Sequence, residues 1–250
     1  MDWRRRRQFF YILIISALFL IFVAFPIYLK FNKPPSCFDG ERNGDEIGVD
    51  CGGSCLRACV SDILEPTVLW VRSFKITEGV YNATAYIQNT NSGVYATNVP
   101  YIFRIFDKDN LLISEREGRT DIFPGSVFPV FEGTIFTGER VPQTTFFDFE
   151  NIDWLQGSPS FEKDIIVKER VLSLGENPRL RAVIENSSID ELKNIEVVVV
   201  LYDENDNAIN SSKTVIDKLS KGEQKEVVFT WSQPFSSDSL RIEIFSKVNL

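Results

Sequence analysis

The chain carries two distinct hydrophobic patterns, one after the other. Residues 9–29 read FFYILIISALFLIFVAFPIYL, 21 positions without a charge. A helix of that length spans about 30 Å, the thickness of a bilayer's hydrocarbon core. Pro26, near its outer end, is expected to kink it. Beyond residue 60 the period becomes two. Leu180, Ala182 and Ile184 alternate with Arg179, Arg181 and Glu185. Val227, Phe229 and Trp231 alternate with Glu226, Val228 and Thr230, and Leu240, Ile242 and Ile244 with Arg241 and Glu243. Such alternation marks strands with one buried face. Residues 195–202 (IEVVVVLY) are almost continuously apolar, as expected of a central strand buried on both faces. Turn signals follow at 203–207 (DENDN) and 220–223 (SKGE).

The strand-rich part contains an internal repeat. Ala85, Ile87 and Asn89 align with Ala182, Ile184 and Asn186, and Asn98-Val99 with Asn194-Ile195. Phe103, Ile105, Phe106 and Asp107 align with Val199, Leu201, Tyr202 and Asp203, and Ile113 with Ile209. About six or seven short strands per unit, with turns roughly every 8–12 residues, describe a small immunoglobulin-like sandwich. The expected organisation is a cytoplasmic tail at 1–8 and a transmembrane helix at 9–29. A linker and disulfide-rich segment follow at 30–62, then sandwiches at 63–155 and 160–250, joined through 156–159. The fold class expected is therefore mainly β, with an N-terminal transmembrane α-helix, a short disulfide-rich segment and two tandem immunoglobulin-like β-sandwiches.

Charge sets the expected topology. Arg4, Arg5, Arg6 and Arg7 precede the apolar run, and only Lys30 and Lys33 follow it closely. The positive-inside rule then puts the N-terminus in the cytoplasm and the bulk of the chain outside, as a single-pass protein of the cell membrane. The apolar run is longer than a cleaved signal requires, and Val23-Ala24-Phe25-Pro26 is a poor cleavage site. Net charge is −8; residues 1–8 carry +3, which leaves −11 for the rest. Phosphates would be repelled by it, so nucleic acid is not an expected partner.

All four cysteines fall within 37–59: Cys37, Cys51, Cys55 and Cys59. Even number, clustering and an oxidising location favour two disulfides, with the pairing open. A four-cysteine zinc site is the weaker alternative, because the spacings are not those of C-x2-C pairs. Between the cysteines, Asp39, Asn43, Asp45, Glu46 and Asp50 supply oxygens interleaved with Gly40, Gly44 and Gly48. They are candidate ligands for a structural calcium, although the spacing is not that of an EF-hand. A polar turn segment held by cystines is the simpler expectation, and no other cofactor is expected.

Residues 37–55 resemble a cysteine-rich element, C-x-D-G-x-x-N-G-x-E-x-x-x-D-C-G-G-x-C, of many cell-surface proteins. The resemblance implies a surface or envelope location and no particular activity. The two strand-rich units resemble the FxLYD family and related immunoglobulin-like modules of bacterial envelope proteins. The name-giving stretch corresponds to Phe103, Ile105, Phe106 and Asp107, and to Val199, Leu201, Tyr202 and Asp203. Each unit departs from the motif conservatively. The family resemblance implies a β-sandwich and carries no catalytic residues to transfer. The whole combination is similar to single-pass membrane proteins of small-genome bacteria.

Catalytic constellations are sparse. The absence of histidine excludes Ser-His-Asp and Cys-His catalysis. Ser126 and Ser173 have no base beside them, and acidic pairs such as Asp203 and Asp206 fall in surface turns. Asn82, Asn186 and Asn210 open glycosylation-type sequons and are expected in turns. The phenylalanines of 123–149 are expected in the core rather than along a groove. The sequence therefore points to a non-enzymatic, membrane-anchored envelope protein that presents two interaction modules, with the bilayer and other envelope or membrane proteins as partners. A calcium-dependent adhesin or carbohydrate-binding surface protein is the alternative.

Overall fold

The computed structural model describes residues 3–31, 34–157, 159, 164–235 and 240–248. The N-terminal helix runs as α1 (Trp3–Phe19), one π-helical stretch (Leu20–Ala24) and α2 (Phe25–Phe31). It takes in Arg4, Arg5, Arg6 and Arg7, which were expected in a separate tail. Arginine is a good helix former, and no capping residue stands between them and Phe9. Pro26 has no N–H to donate, and its ring needs room at the carbonyl four residues back. The chain meets this by widening just before the proline, where the Phe25 N–H reaches back five residues to the Leu20 carbonyl. Residues Trp3–Lys30 are long and apolar enough to cross a membrane, and none of their most apolar window is buried.

The chain forms two compact units, Met1–Cys55 and Leu56–Leu250. Among the described residues the second is mainly β, with a 3-10 turn at Val60–Asp62. Its strands are β1 (Thr67–Thr77), β2 (Val80–Gln88), β3 (Val94–Phe106), β4 (Leu112–Ile122), β5 (Val127–Phe136), β6 (Thr144–Phe149) and β7 (Leu155–Gln156). There follow β8 (Ile165–Ser173), β9 (Arg179–Asn186), β10 (Leu192–Tyr202), β11 (Ala208–Leu219), β12 (Gln224–Thr230) and β13 (Arg241–Val248). All ladders are antiparallel. The sheets are β1-β2-β5 and β4-β3-β6, with β7 also on β3, then β8-β9-β12 and β11-β10-β13. The second pair of sheets repeats the strand order of the first.

Each pair of sheets closes on its own core. In the first, Ala83, Ala85 and Ile87 of β2 meet Phe103 and Ile105 of β3, all fully buried. In the second, Leu180, Ala182 and Ile184 of β9 meet Ile195, Val197, Val199 and Leu201 of β10. Leu180, Ala182 and Ile184 are alternating positions the sequence assigned to a buried face.

A third cluster joins the sandwiches. Val198, Val200 and Tyr202 point out of the second core and pack, with Ala208, on Phe74 and Phe131 of the first sandwich. Trp70 meets Tyr202 edge-on at 6.3 Å, and Tyr86 meets Phe245 at 5.5 Å. Thr84 and Ser211 share a buried hydrogen bond of 2.6 Å, and the Arg72 guanidinium donates to the Ala208 carbonyl at 2.8 Å. The near-continuous apolar run of β10 is thus buried on both faces. Odd-numbered positions serve its own core, and even-numbered ones serve the neighbouring sandwich.

Two expected boundaries shift. The first sandwich begins before residue 63. The Ala58 N–H donates to the Trp154 carbonyl at 2.9 Å, the Gln156 N–H to Leu56 at 2.7 Å, and Ala58 packs in the first core. Gln156, expected in a linker, lies in β7 opposite Val94. Ser158, residues 160–163, 249–250 and Lys33 lie outside the described residues, so the expected start of the second sandwich at 160 does too. Pro100 sits in the central strand β3, next to an irregular register at Ala96–Val99. Its missing N–H costs no ladder bond to β6, whose pairing ends at Tyr101–Phe149.

Candidate functional site

Three regions gather polar chemistry. The first is the stapled segment of unit Met1–Cys55. Cys37 is bonded to Cys55, with Cα atoms 5.6 Å apart; Cys51 and Cys59 are also disulfide-bonded, and none of the four is free. The acidic side chains turn inward on the backbone. The Asp50 carboxylate accepts from the N–H groups of Asp39 and Gly40 at 2.9–3.2 Å. Asp39 accepts from the Glu41 N–H and the Asn43 amide, Asp45 from the Ser54 hydroxyl, and buried Glu46 from the Asn43 N–H. Gly53 has φ +61°, and a Cβ there would lie 2.1 Å from the Asp45 carbonyl oxygen, so only glycine fits.

In this geometry four of the five expected calcium ligands already accept hydrogen bonds within the segment, and the buried Asn43 Oδ1 has no partner among the described residues. Calcium wants six to eight oxygens around one point. Here the oxygens of Asp39, Asp45, Glu46 and Asp50 hold N–H and O–H donors of the segment itself. Among the described residues, one group of three His, Cys, Asp or Glu ligand atoms comes together: Cys37, Glu46 and Cys55. Two of those are the sulfurs of a cystine, which carry no thiolate to bind a metal.

The second region is an ionic cluster buried at the seam between the sandwiches. Lys247 of β13 is 8% exposed. Its ammonium donates to the Thr120 hydroxyl at 2.5 Å and lies 3.5 Å from Glu196. The other Glu196 oxygen holds Lys213 at 3.3 Å, and Lys213 also donates to the Phe131 carbonyl. Burial pushes the Lys247 ammonium below the usual lysine range, and Glu196 and Asp121 partly restore it. A cleft of about 290 Å³, walled by Val127, Phe128, Ile165, Val198 and Phe245, opens beside this cluster. Nearby, the Tyr101 hydroxyl donates to Glu132 at 2.7 Å; burial, then the Glu132 charge, push that phenol up.

The third region is a larger groove, about 710 Å³, along the same seam. Asn82 and Phe131 line it from the first sandwich, and Asn177, Asn210, Trp231 and Gln233 from the second. Asn82 spends its carbonyl oxygen on the Thr134 N–H, and Asn210 on the Ser211 N–H. The Trp231 indole nitrogen is buried and has no hydrogen-bond partner among the described residues.

The repeat-signature residues serve as scaffold. Phe103 and Ile105 are core, as are Val199 and Leu201, and Tyr202 faces the seam. Asp107 and Asp203 close matching turns. Asp107 accepts from the N–H groups of Asp109 and Leu111, Asp203 from those of Asn205 and Asn207. Asn110 and Asp206 in these turns have φ of 57° and 59°. The N–H of Leu111 foremost, then those of Asp109 and the Arg140 guanidinium, hold the Asp107 carboxyl below the usual range. Asn82 and Asn210 lie within β2 and β11, not in turns, and Asn186 ends β9. Of the phenylalanines of 123–149, Phe123, Phe128, Phe131 and Phe147 are buried, while Phe136 and Phe146 are exposed. The sequence reading missed Lys247, Glu196 and Trp231. Glu196 is the one charge inside the apolar run of β10, and that interruption was the available signal.

No family model matches the chain, and no curated protein matches it. Solved structures give distant likenesses. The β-glucuronidase of Bacteroides uniformis aligns over 69% of this chain and 25% of its own, with 12% identity and a TM-score of 0.26. Red sea bream transglutaminase aligns over 73% and 29%, with 9% identity and a TM-score of 0.24. This chain spans about a quarter of the length of these proteins.

Proposed function

We propose that the chain is a non-enzymatic, membrane-anchored envelope protein whose β-sandwich modules contact another envelope or membrane protein outside the cytoplasm. The observation that carries this reading is the succession of an unburied apolar helix of spanning length and a segment whose four cysteines are all oxidised. A helix apolar on all sides is at rest in lipid. Cystines persist in oxidising compartments, which agrees with the orientation favoured by Arg4, Arg5, Arg6 and Arg7. The topological match of the two sandwiches and their equivalent aspartate turns support descent from one FxLYD-like module.

The test combines alkaline carbonate extraction with thiol labelling of the native chain in its own cells. The protein should stay with the membrane, resist maleimide until reduced, and lose its sandwiches to protease added outside the cytoplasmic membrane. Recovery in the carbonate supernatant, or four thiols that label without reductant, would sink the proposal.

A further inference from the structure

We propose that the groove between the two sandwiches binds a neutral oligosaccharide. The lining is the argument. Among the described residues that line it, nine carry a neutral amide or hydroxyl and none carries a carboxylate, in a chain whose net charge is −8. Its two cations are already matched: Lys75 pairs with Glu78 at 2.6 Å and Lys213 with Glu196 at 3.3 Å. An anionic ligand therefore gains little there, and a cationic one has no partner. Amides set a donor beside an acceptor, and each sugar hydroxyl is both, so Asn177 and Gln233 suit vicinal diols. With the Asn82 and Asn210 carbonyl oxygens committed to backbone N–H groups, their NH₂ groups remain for a ligand.

The volume, about 710 Å³, lies within the range of small-ligand sites. Phe235 brings a half-buried ring to the lining and meets Trp231 edge-on at 5.2 Å. Trp231 adds the independent sign. It is 8% exposed, it lines the groove, and its indole N–H has no acceptor among the described residues. Buried donors without partners are rare and costly, and this one belongs to a residue shared between the second core and the groove. The seam is also where such a site belongs, since ligand sites favour interfaces between domains.

The inference deepens the proposed function by naming what an exported module would meet, but the binding itself is measured on purified protein. A failure of topology would thus appear only in the carbonate and labelling assays. The full chain is purified in a zwitterionic detergent without a sugar headgroup. It is titrated with maltotriose, cellotriose, mannotriose and chitotriose, and with trigalacturonate as the charged counterpart, by saturation-transfer NMR and tryptophan fluorescence. At least one neutral trisaccharide should bind with a Kd of about 1 mM or tighter. Asn177→Ala with Gln233→Ala, both at exposed positions, should weaken it about tenfold without moving Tm. Trp231→Phe should abolish the fluorescence change. The proposal falls if no neutral trisaccharide binds, if trigalacturonate binds more tightly, or if the double variant binds unchanged.

Discussion

Asn89 and Asn186 show how a single polar side chain can organise a sandwich. Both are essentially inaccessible, at 1% and 0% exposure. The Asn89 amide donates to the Phe123 carbonyl at 2.8 Å, and the Asn186 amide to Leu219 at 2.9 Å and Asp190 at 2.8 Å. Each carbonyl oxygen takes an N–H two residues on, from Asn91 and Ser188. Asn186→Ala should therefore cost about 2–4 kcal/mol in thermal unfolding, because it strands buried acceptors in addition to removing bonds. The seam charges behave asymmetrically. Glu196→Leu leaves Lys247 buried, and Lys213 half-buried, without their carboxylate and should cost about 3–5 kcal/mol. Lys247→Met leaves Glu196 paired with Lys213 and should cost far less. Lys247 also sets a pH signature. Its folded pKa is depressed, so between that value and about 10.4 the unfolded chain holds a proton the folded one lacks. Wild type should gain stability relative to Lys247→Met as pH rises through that window, measured as the difference between their melting curves. At the acid end the sign is the same. The help from Asp107 and Asp203, both held below the usual carboxylate range, is present above about pH 4 and fades as pH drops through their folded values.

The elements differ in how far they could be read from the chain. Alternation placed β9 and β12 and the buried residues Leu180, Ala182, Ile184, Val227 and Phe229. The apolar run of 195–202 announced a strand covered on both faces. What covers the second face was not legible, because Trp70, Phe74 and Tyr86 alternate along β1 and β2 as any half-buried strand residues would. Nor could the calcium question be read forward. Acidic residues among glycines look the same whether their oxygens will face an ion or their own backbone, and only the fold shows Asp50 turned on the amides of Asp39 and Gly40. The groove was hidden for a related reason: its amides come from β2, β11 and two loops, which only the docking of the sandwiches brings together. The stapled segment has little apolar burial of its own, so its order rests on its cross-links. Cys37→Ser with Cys55→Ser opens a loop with a sequence separation of 18. That should cost the segment about 3 kcal/mol, seen as faster proteolysis within 37–55 while the β unit keeps its Tm.

At the scale of the whole β unit, the sandwiches meet through unlike faces. The first offers its β1-β2-β5 sheet, the second its β11-β10-β13 sheet. On the equivalent of the second face in the first sandwich, Arg104 stands where the second sandwich has Val200. Arg104 is tied to Glu115 at 3.1 Å and Asp148 at 3.0 Å. Val200→Arg should consequently undock the sandwiches while leaving each folded. Hydrogen exchange should accelerate along β2 and β10 with little change in circular dichroism. A coincident loss of all β structure would mean that neither sandwich stands alone.

Joining front to back gives this stack a direction that a mirror-like pairing would lack. Duplicating one module in the gene could therefore lengthen it by the same step each time, about 20 Å for two further sheets at roughly 10 Å spacing. The same geometry would polymerise whole molecules if the outer ends matched. Arg104, Glu115 and Asp148 would have to give up water for that growth, and Arg104→Val is where filament formation should first be sought.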